Sequence, residues 1–177
     1  YDLSKLLNDL LLTFSPQAED AGLLFSITQK NREERLLIGD EQRIMQILIN
    51  LIGNGLKFTN QGGLQLTTWV EDNHLIYQVK DSGVGMPPAV LDKLFGRFEQ
   101  ADSSISRRFG GSGLGLYISQ NLTMLMGGEI TVSSEEGVGS LFTLRLPYQQ
   151  SELPVKPLRQ EKAAPVTDEP FSGHILV

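Results

Sequence analysis

Three stretches of this chain have residue types and spacings that could do chemistry. In the first, residues 45–57, about 100° of rotation per residue gathers Gln46, Asn50, Gly53, Asn54 and Lys57 in one sector, while Met45, Ile47, Leu48, Ile49, Leu51, Ile52 and Leu56 take the rest. The pattern predicts a buried helix with a polar stripe. An unpaired amide in a dry core costs roughly 1–3 kcal/mol, so two asparagines and a lysine in line should face a cavity that satisfies them. The second stretch, Asp81-Ser82-Gly83-Val84-Gly85-Met86-Pro87-Pro88, sets a carboxylate before glycines where backbone must approach something closely. Taken alone, this octapeptide is equally well a plain turn. The third, Gly110-Gly111-Ser112-Gly113-Leu114-Gly115-Leu116, opens a helical pattern, and free N–H groups at a helix start suit a phosphate. Its spacing is neither G-x-x-x-x-G-K-[ST] nor G-x-G-x-x-G, so P-loop and Rossmann readings fail and a structural hinge stays open. The cavity facing the stripe is expected to hold a magnesium-bound nucleotide.

The elements that must position these stretches are legible from period and punctuation. Leu3, Leu6, Leu7, Leu10, Leu11 and Phe14 recur at helical spacing, with Asp2 or Ser4 as caps. Pro16 should be met by a kink or by a second helical segment ending at Gly22. Residues 23–28 and 36–39 read as short strands, and Asp40 stands where the N-cap of the striped helix belongs. Leu64, Leu66, Thr68 and Val70 alternate with polar neighbours, and a turn at 71–74 returns the chain along 75–80 as a hairpin. His74 is most simply a solvated turn residue, since nothing adjacent would orient its ring for proton transfer. Residues 88–98 predict a short helix, and 99–109 a mobile loop. Leu114, Tyr117, Ile118, Leu122, Leu125 and Met126 then keep helical spacing up to Gly127-Gly128. Strands at 129–134 and 140–147 flank an acidic, glycine-rich turn. The domain is expected to span 1–147, followed by a linker at 148–172 and, at 173–177, the first strand of another domain.

Composition narrows the function classes. The 177 residues, 40% of them hydrophobic, can bury one proper core. There are no cysteines, which excludes disulfides, thiolate nucleophiles and Cys-based zinc sites, and the two histidines stand apart. A net charge of −6 without a Lys/Arg cluster argues against nucleic acid as a partner. No apolar run approaches the roughly 20 residues that span a bilayer, so direct membrane contact is not expected of this piece.

Four blocks now stand in order: Asn-x-x-x-Asn-Gly-Leu-Lys-Phe-Thr at 50–59, Asp-Ser-Gly-Val-Gly-Met at 81–86, Leu-Phe-Gly-Arg-Phe-Glu-Gln at 94–100, and Gly-Gly-Ser-Gly-Leu-Gly-Leu at 110–116. The order resembles the asparagine, first glycine, phenylalanine and second glycine boxes of the sensor histidine kinases, in their catalytic and ATP-binding domain of Bergerat-type fold. The segment 100–109 resembles the lid of hybrid sensor kinases, and the closing Gly-His-Ile-Leu-Val is similar to the start of a receiver domain. The resemblance implies an α/β two-layer sandwich: a mixed, largely antiparallel sheet with helices at 4–21, 40–57 and 114–126 on one face. It implies a cytoplasmic domain whose parent is anchored in the bacterial inner membrane.

Carried over position by position, the resemblance implies roles around ATP and Mg²⁺. Asn54 would ligate the metal through its amide oxygen, beside Asn50, with Lys57 offsetting phosphate charge. Phe58 would pack beside adenine, and Asp81 would accept from the exocyclic amine, where guanine offers a second acceptor. Gly83, Gly85 and Met86 would let backbone approach the base, Phe98 would lie at the site, and Thr143 would assist Asp81 through water. Arg107 and Arg108 would bring charge from the lid, with Gly111, Ser112, Gly113, Leu114, Gly115 and Leu116 around the phosphates. Gly55 and Ser112 depart from a commoner alanine and threonine.

Related ATPases of the gyrase, mismatch-repair and chaperone type place a water-activating glutamate where this chain has the neutral Asn50. Phosphoryl transfer to a positioned nucleophile relies on alignment and charge neutralisation and can do without that base. The expected function is γ-phosphoryl donation to a histidine on an upstream dimerisation domain, with a response regulator or receiver domain as the later partner and a monomeric isolated piece. Neither His74 nor His174 sits in the helical acceptor motif. A hydrolase and a non-catalytic nucleotide-binding module are the alternatives.

Overall fold

A computed structural model describes residues 1–31, 33–94 and 114–155, without the side chains of Asp92 and Lys93. The first helix, α1 (Leu3–Asp20), starts where Asp2 accepts the Lys5 N–H at 3.2 Å. Its buried stripe is Leu3, Leu6, Leu7, Leu10, Phe14 and Ala18; Leu11 belongs to the exposed side. No second helical segment starts at Pro16: α1 runs through it as one helix. The ring's conflict falls on the carbonyl of Leu12, a residue on the solvent side where water can serve the freed acceptor. Gly22, at φ +68°, then ends the helix: its N–H donates to Glu19 O and that of Leu23 to Ala18 O, satisfying the last carbonyls.

Strand β1 (Leu24–Gln29) runs parallel to β3 (Gly63–Glu71), and β3, β4 (His74–Asp81), β6 (Gly139–Pro147) and β5 (Glu129–Glu135) pair antiparallel, giving the order β1-β3-β4-β6-β5. The β3–β4 turn places Asp72 and Asn73 at positive φ, the conformation a two-residue hairpin turn demands. Period-two alternation then sorts the side chains. Phe25, Ile27, Leu64, Leu66, Tyr77, Val79, Phe142, Leu144, Leu146, Ile130 and Val132 share one face by register and meet the helices. The other face carries Gln65, Thr67, Gln78, Lys80, Thr131 and Ser133. This is the expected mixed, largely antiparallel sheet.

Helix α2 (Glu41–Lys57) lies across the covered face, capped by Asp40, which accepts the Arg43 N–H at 3.1 Å. Ile44, Ile47, Leu48, Leu51 and Ile52 are buried, but Ile49 is 44% exposed, so the helix is apolar on the sheet side and not around the whole remaining circumference. Helices α3 (Pro88–Leu94) and α4 (Leu114–Leu125) follow. Among the described residues no helix is long and apolar enough to cross a membrane.

Order continues past Pro147. Residues 150–154, expected to belong to a linker, form β7 (Gln150–Pro154), antiparallel to β2 (Arg35–Leu37). Glu33, only 8% exposed, accepts from Tyr148 Oη at 2.6 Å and Gln150 Nε2 at 3.0 Å. Burial, then the Glu33 carboxylate that prefers the neutral phenol as donor, push the Tyr148 pKa up to about 12. A linker composition cannot reveal this pairing, because the partner carboxylate lies more than a hundred residues away.

Candidate nucleotide site

The last residue of β4 is the centre of the site. Leu75, Tyr77 and Val79 face the helices, and strict alternation turns Asp81 the same way, at 7% exposure. Its Oδ1 accepts the Gly83 N–H at 2.9 Å and the Ser140 N–H at 3.1 Å, while Oδ2 has no hydrogen-bond partner among the described residues. Burial raises the Asp81 pKa above the ordinary 3.8, and the two N–H donors pull it partly back. A carboxylate held by two backbone donors, with its second oxygen unclaimed among the described residues, is arranged to accept a hydrogen bond from a ligand.

Glycines let the surroundings close on this carboxylate. A Cβ on Gly83 would stand 2.9 Å from both Asp81 Oδ1 and Thr59 Oγ1 and 2.5 Å from Phe58 O. Gly85 adopts φ +65° against the Glu135 backbone, and Gly139 packs on the Asp81 backbone. The loop after Asp81 is tied on two sides. Ser82 Oγ accepts the Gly63 N–H at 2.9 Å and donates to Gln61 O at 3.0 Å. On the other side the Gly137 N–H donates to Val84 O at 2.7 Å and that of Met86 to Ser134 Oγ at 2.8 Å.

The polar stripe of α2 runs past this point. Gly55 abuts Asp81, its added Cβ falling 3.6 Å from the Asp81 Cβ, which sets the last turn of α2, where Asn54 precedes Gly55 and Phe58 is the C-cap, against the end of β4. Half-buried Asn54 donates from Nδ2 to Asn50 Oδ1 at 3.4 Å, and Asn50 donates from its own Nδ2 to Ser119 Oγ of α4 at 3.0 Å. This leaves Asn54 Oδ1 as the amide oxygen available to a cation. Gly115, in the first turn of α4, has no room for a Cβ because the Asn50 carboxamide occupies that place. Lys57 is exposed, its Nζ 5.3 Å from the Phe58 ring centroid, a cation–π distance that holds both at the rim. Among the described residues no three His, Cys, Asp or Glu side chains cluster as a metal site. A single amide oxygen fits Mg²⁺ carried in on phosphates, since this ion keeps waters and takes few protein ligands.

Of the residues singled out in the sequence, Asn50, Asn54, Lys57, Phe58, Asp81, Gly83, Gly85, Met86, Gly115 and Leu116 lie on the elements that converge here, with Leu114 exposed at the start of α4. Phe98, Arg107, Arg108, Gly111, Ser112 and Gly113, and the loop expected at 99–109, lie outside the described residues. Thr143 is corrected. It pairs with Gln78 and Thr131 on the opposite face of the sheet, away from Asp81, and the hydroxyl residue beside Asp81 is Ser140. Parity was the available signal: Phe142, Leu144 and Leu146 point inward, which turns Ser140 in and Thr143 out. Ser119 and Ser134 carried no signal of their own, since their partners are distant in sequence. A separate groove of about 360 Å³, lined by Tyr1, Ile38, Asp40, Ile44, Met126 and Gln149 among others, lies at the other end of α2.

A buried carboxylate at a strand end, an amide pair on the helix behind it and a second helix following a glycine-rich segment define an ATP-binding fold of one class. The chain belongs to the histidine kinase-, DNA gyrase B- and HSP90-like ATPase family, whose model matches residues 39–150, and within it to the sensor histidine kinase type. The circadian input-output histidine kinase CikA of Synechococcus elongatus is 38% identical across 100% of this chain, which spans 23% of that relative. Hybrid signal transduction histidine kinase B of Dictyostelium discoideum is 38% identical over 83% of this chain and 8% of its own length. Among solved structures, full-length ShkA in complex with AMPPNP superposes with a TM-score of 0.74 at 32% identity, covering 90% of this chain and 32% of that one. The chain thus spans less than a quarter of the curated relatives named, and the family supports an ATP-binding kinase role.

Proposed function

We propose that this domain binds Mg-ATP and donates its γ-phosphoryl group to a histidine on a dimerisation domain upstream in the same protein family, within a two-component relay that includes a receiver domain. The observation that carries the reading is Asp81: a carboxylate with Oδ1 fixed by Gly83 and Ser140 and Oδ2 left for a ligand donor. Adenine brings an amine to that oxygen, whereas guanine would bring a second acceptor. Asn54 Oδ1 would hold the metal and Lys57 would offset phosphate charge, and the resemblance assigns Arg107, Arg108 and the backbone of Gly111, Gly113 and Gly115 to the phosphates. Bound Mg²⁺ neutralises charge on the phosphate oxygens.

In the transfer itself a histidine nitrogen forms a bond to the γ-phosphorus as the bond to the β–γ bridging oxygen breaks, and ADP departs with that electron pair. The histidine proton passes to a base on the acceptor domain or to water. Hydrolysis is disfavoured because Asn50, where a hydrolase of this family would need a base, is neutral and committed to Ser119 and Asn54. The test is incubation of the domain with γ-labelled ATP and a separate histidine-bearing helical hairpin. Acid-labile phosphohistidine on the hairpin is expected; steady phosphate release with no label on the hairpin would overturn the reading in favour of a hydrolase.

A further inference from the structure

The row of residues that ends the sheet contains one side chain that no role above accounts for. Leu64 pairs with Asp81 and Ser134 with Ser140, and one step beyond the Lys80–Leu141 pair Ser140 stands beside Asp81, so Leu64, Asp81, Ser140 and Ser134 form a single cross-strand row on the helix-covered face. Ser134, half-buried on β5, is the outer member. Its Oγ accepts the Met86 N–H at 2.8 Å, lies 2.9 Å from Gly139 O and 3.0 Å from Ser140 Oγ. The direction of the Met86 bond has no ambiguity, because a backbone N–H can only donate. Ser134 must accept from Met86 and is left with its own proton for Gly139 O or Ser140 Oγ.

The two segments that Ser134 joins are those that hold Asp81. Gly83 lies three residues before Met86 in the loop, and Ser140 directly follows Gly139; the N–H groups of Gly83 and Ser140 converge on Asp81 Oδ1. Apart from Asp81 Oδ1 itself, Ser134 is the member of the row that spans both sides. Val84 O and the Gly137 N–H add one bond at 2.7 Å, further along the turn. We propose that Ser134 is a positioning residue for base recognition: its hydroxyl clamps the loop after β4 to the start of β6 and so keeps both backbone donors on Asp81, leaving Oδ2 aimed at the base. Ser134 touches no nucleotide; it acts through Asp81. The proposal rests on the reading of Asp81 as the acceptor of the adenine amine.

That dependence supplies a discriminating test. The domain is titrated calorimetrically with Mg-ATP and with Mg-purine riboside triphosphate, which lacks the exocyclic amine. The wild type should prefer ATP; equal binding of the two would overturn the Asp81 reading itself. Given that preference, Ser134→Ala should weaken ATP about five- to tenfold while changing the amine-free analogue less than about twofold, the size expected for a lost hydrogen-bond link. Ser134→Thr, which keeps the hydroxyl, should recover most of the ATP affinity. Equal weakening of both ligands by Ser134→Ala would make the residue a general structural support and overturn the proposal. A ligand-free readout guards against mere misfolding: the Gly83 and Ser140 amide protons, shifted downfield by the carboxylate, should move upfield together in Ser134→Ala with the other resonances retained. If those two amides keep their wild-type shifts, the clamp does not act through Asp81 and the proposal fails.

Discussion

The two ends of the site are built from different materials. At the end proposed to take the base, the groups that hydrogen-bond Asp81 are backbone: the N–H groups of Gly83 and Ser140, with Gly139 pressed against the strand and Ser82 and Ser134 tying the loop on either side. At the end proposed to take the phosphates, the groups are side chains in series, from Asn54 to Asn50 to Ser119, with Lys57 at the rim. A backbone cradle is fixed when the sheet forms and loses little entropy on binding. A chain of amides and hydroxyls can reorient, because the oxygen and nitrogen of a carboxamide are nearly the same shape. The base end is therefore expected to set which nucleotide binds, and the phosphate end to set how the metal and the γ-phosphate are held.

Substitutions can break that division, and the largest effect is expected at Asp81. Asp81→Asn keeps an oxygen for the two N–H groups but presents an NH₂ to the adenine amine, donor against donor. ATP affinity should fall about 100-fold, roughly 3 kcal/mol, by calorimetry. Stability should move the other way. The folded pKa of Asp81 lies above its unfolded value, so its contribution to stability is greatest below the unfolded pKa and is lost as pH rises through the raised folded value. Asparagine stays neutral like the protonated acid, so the variant should melt no lower than wild type at pH 7. Wild-type ATP affinity should also fall on acidification at a higher pH than an ordinary aspartate would dictate.

Next in size, Asn54→Ala should reduce Mg-dependent transfer to a histidine hairpin by about 100-fold while ATP binding in EDTA changes little, since a metal ligand matters only with the metal present. If ATP binding without metal collapsed as well, the phosphate end would be setting nucleotide affinity and the division would fail. Away from the site, Tyr148→Phe removes the hydrogen bond to Glu33 and should cost about 1 kcal/mol in urea unfolding, with ATP affinity unchanged. The smallest effect is expected at Thr143, on the far face: Thr143→Val should leave ATP affinity within about twofold. A larger loss there would mean that the face assigned from the strand register is not the one that governs binding.

The same contrast explains what could be read without coordinates. The stripe of α2, the caps Asp2 and Asp40, and the β3–β4 hairpin were legible because period and capping are local properties of sequence. The carboxylate before spaced glycines marks a close approach at Asp81, and its role as an acceptor follows from the resemblance of the four ordered blocks, since the octapeptide alone is equally well a plain turn. Partners across strands were not. Ser140 and Ser134 meet Asp81 and Met86 only once β4, β5 and β6 are in register, and the parity of Phe142 and Leu144 places Thr143 on the face opposite Ser140. Pro16 lies inside one helix rather than at the start of a second, because a helix interior tolerates proline where its carbonyl conflict faces water. The β2–β7 pair is not legible in composition, because a proline- and charge-rich stretch reads as linker until a buried Glu33 claims it.

The central claim is that Asp81, held by backbone, selects adenine. The most direct measurement is a pair of calorimetric titrations of the wild-type domain, with Mg-ATP and with Mg-GTP under the same conditions. Guanine would set its carbonyl against Asp81 Oδ2, acceptor against acceptor, so ATP should bind at least about 50-fold more tightly. Equal affinities for ATP and GTP would contradict the account.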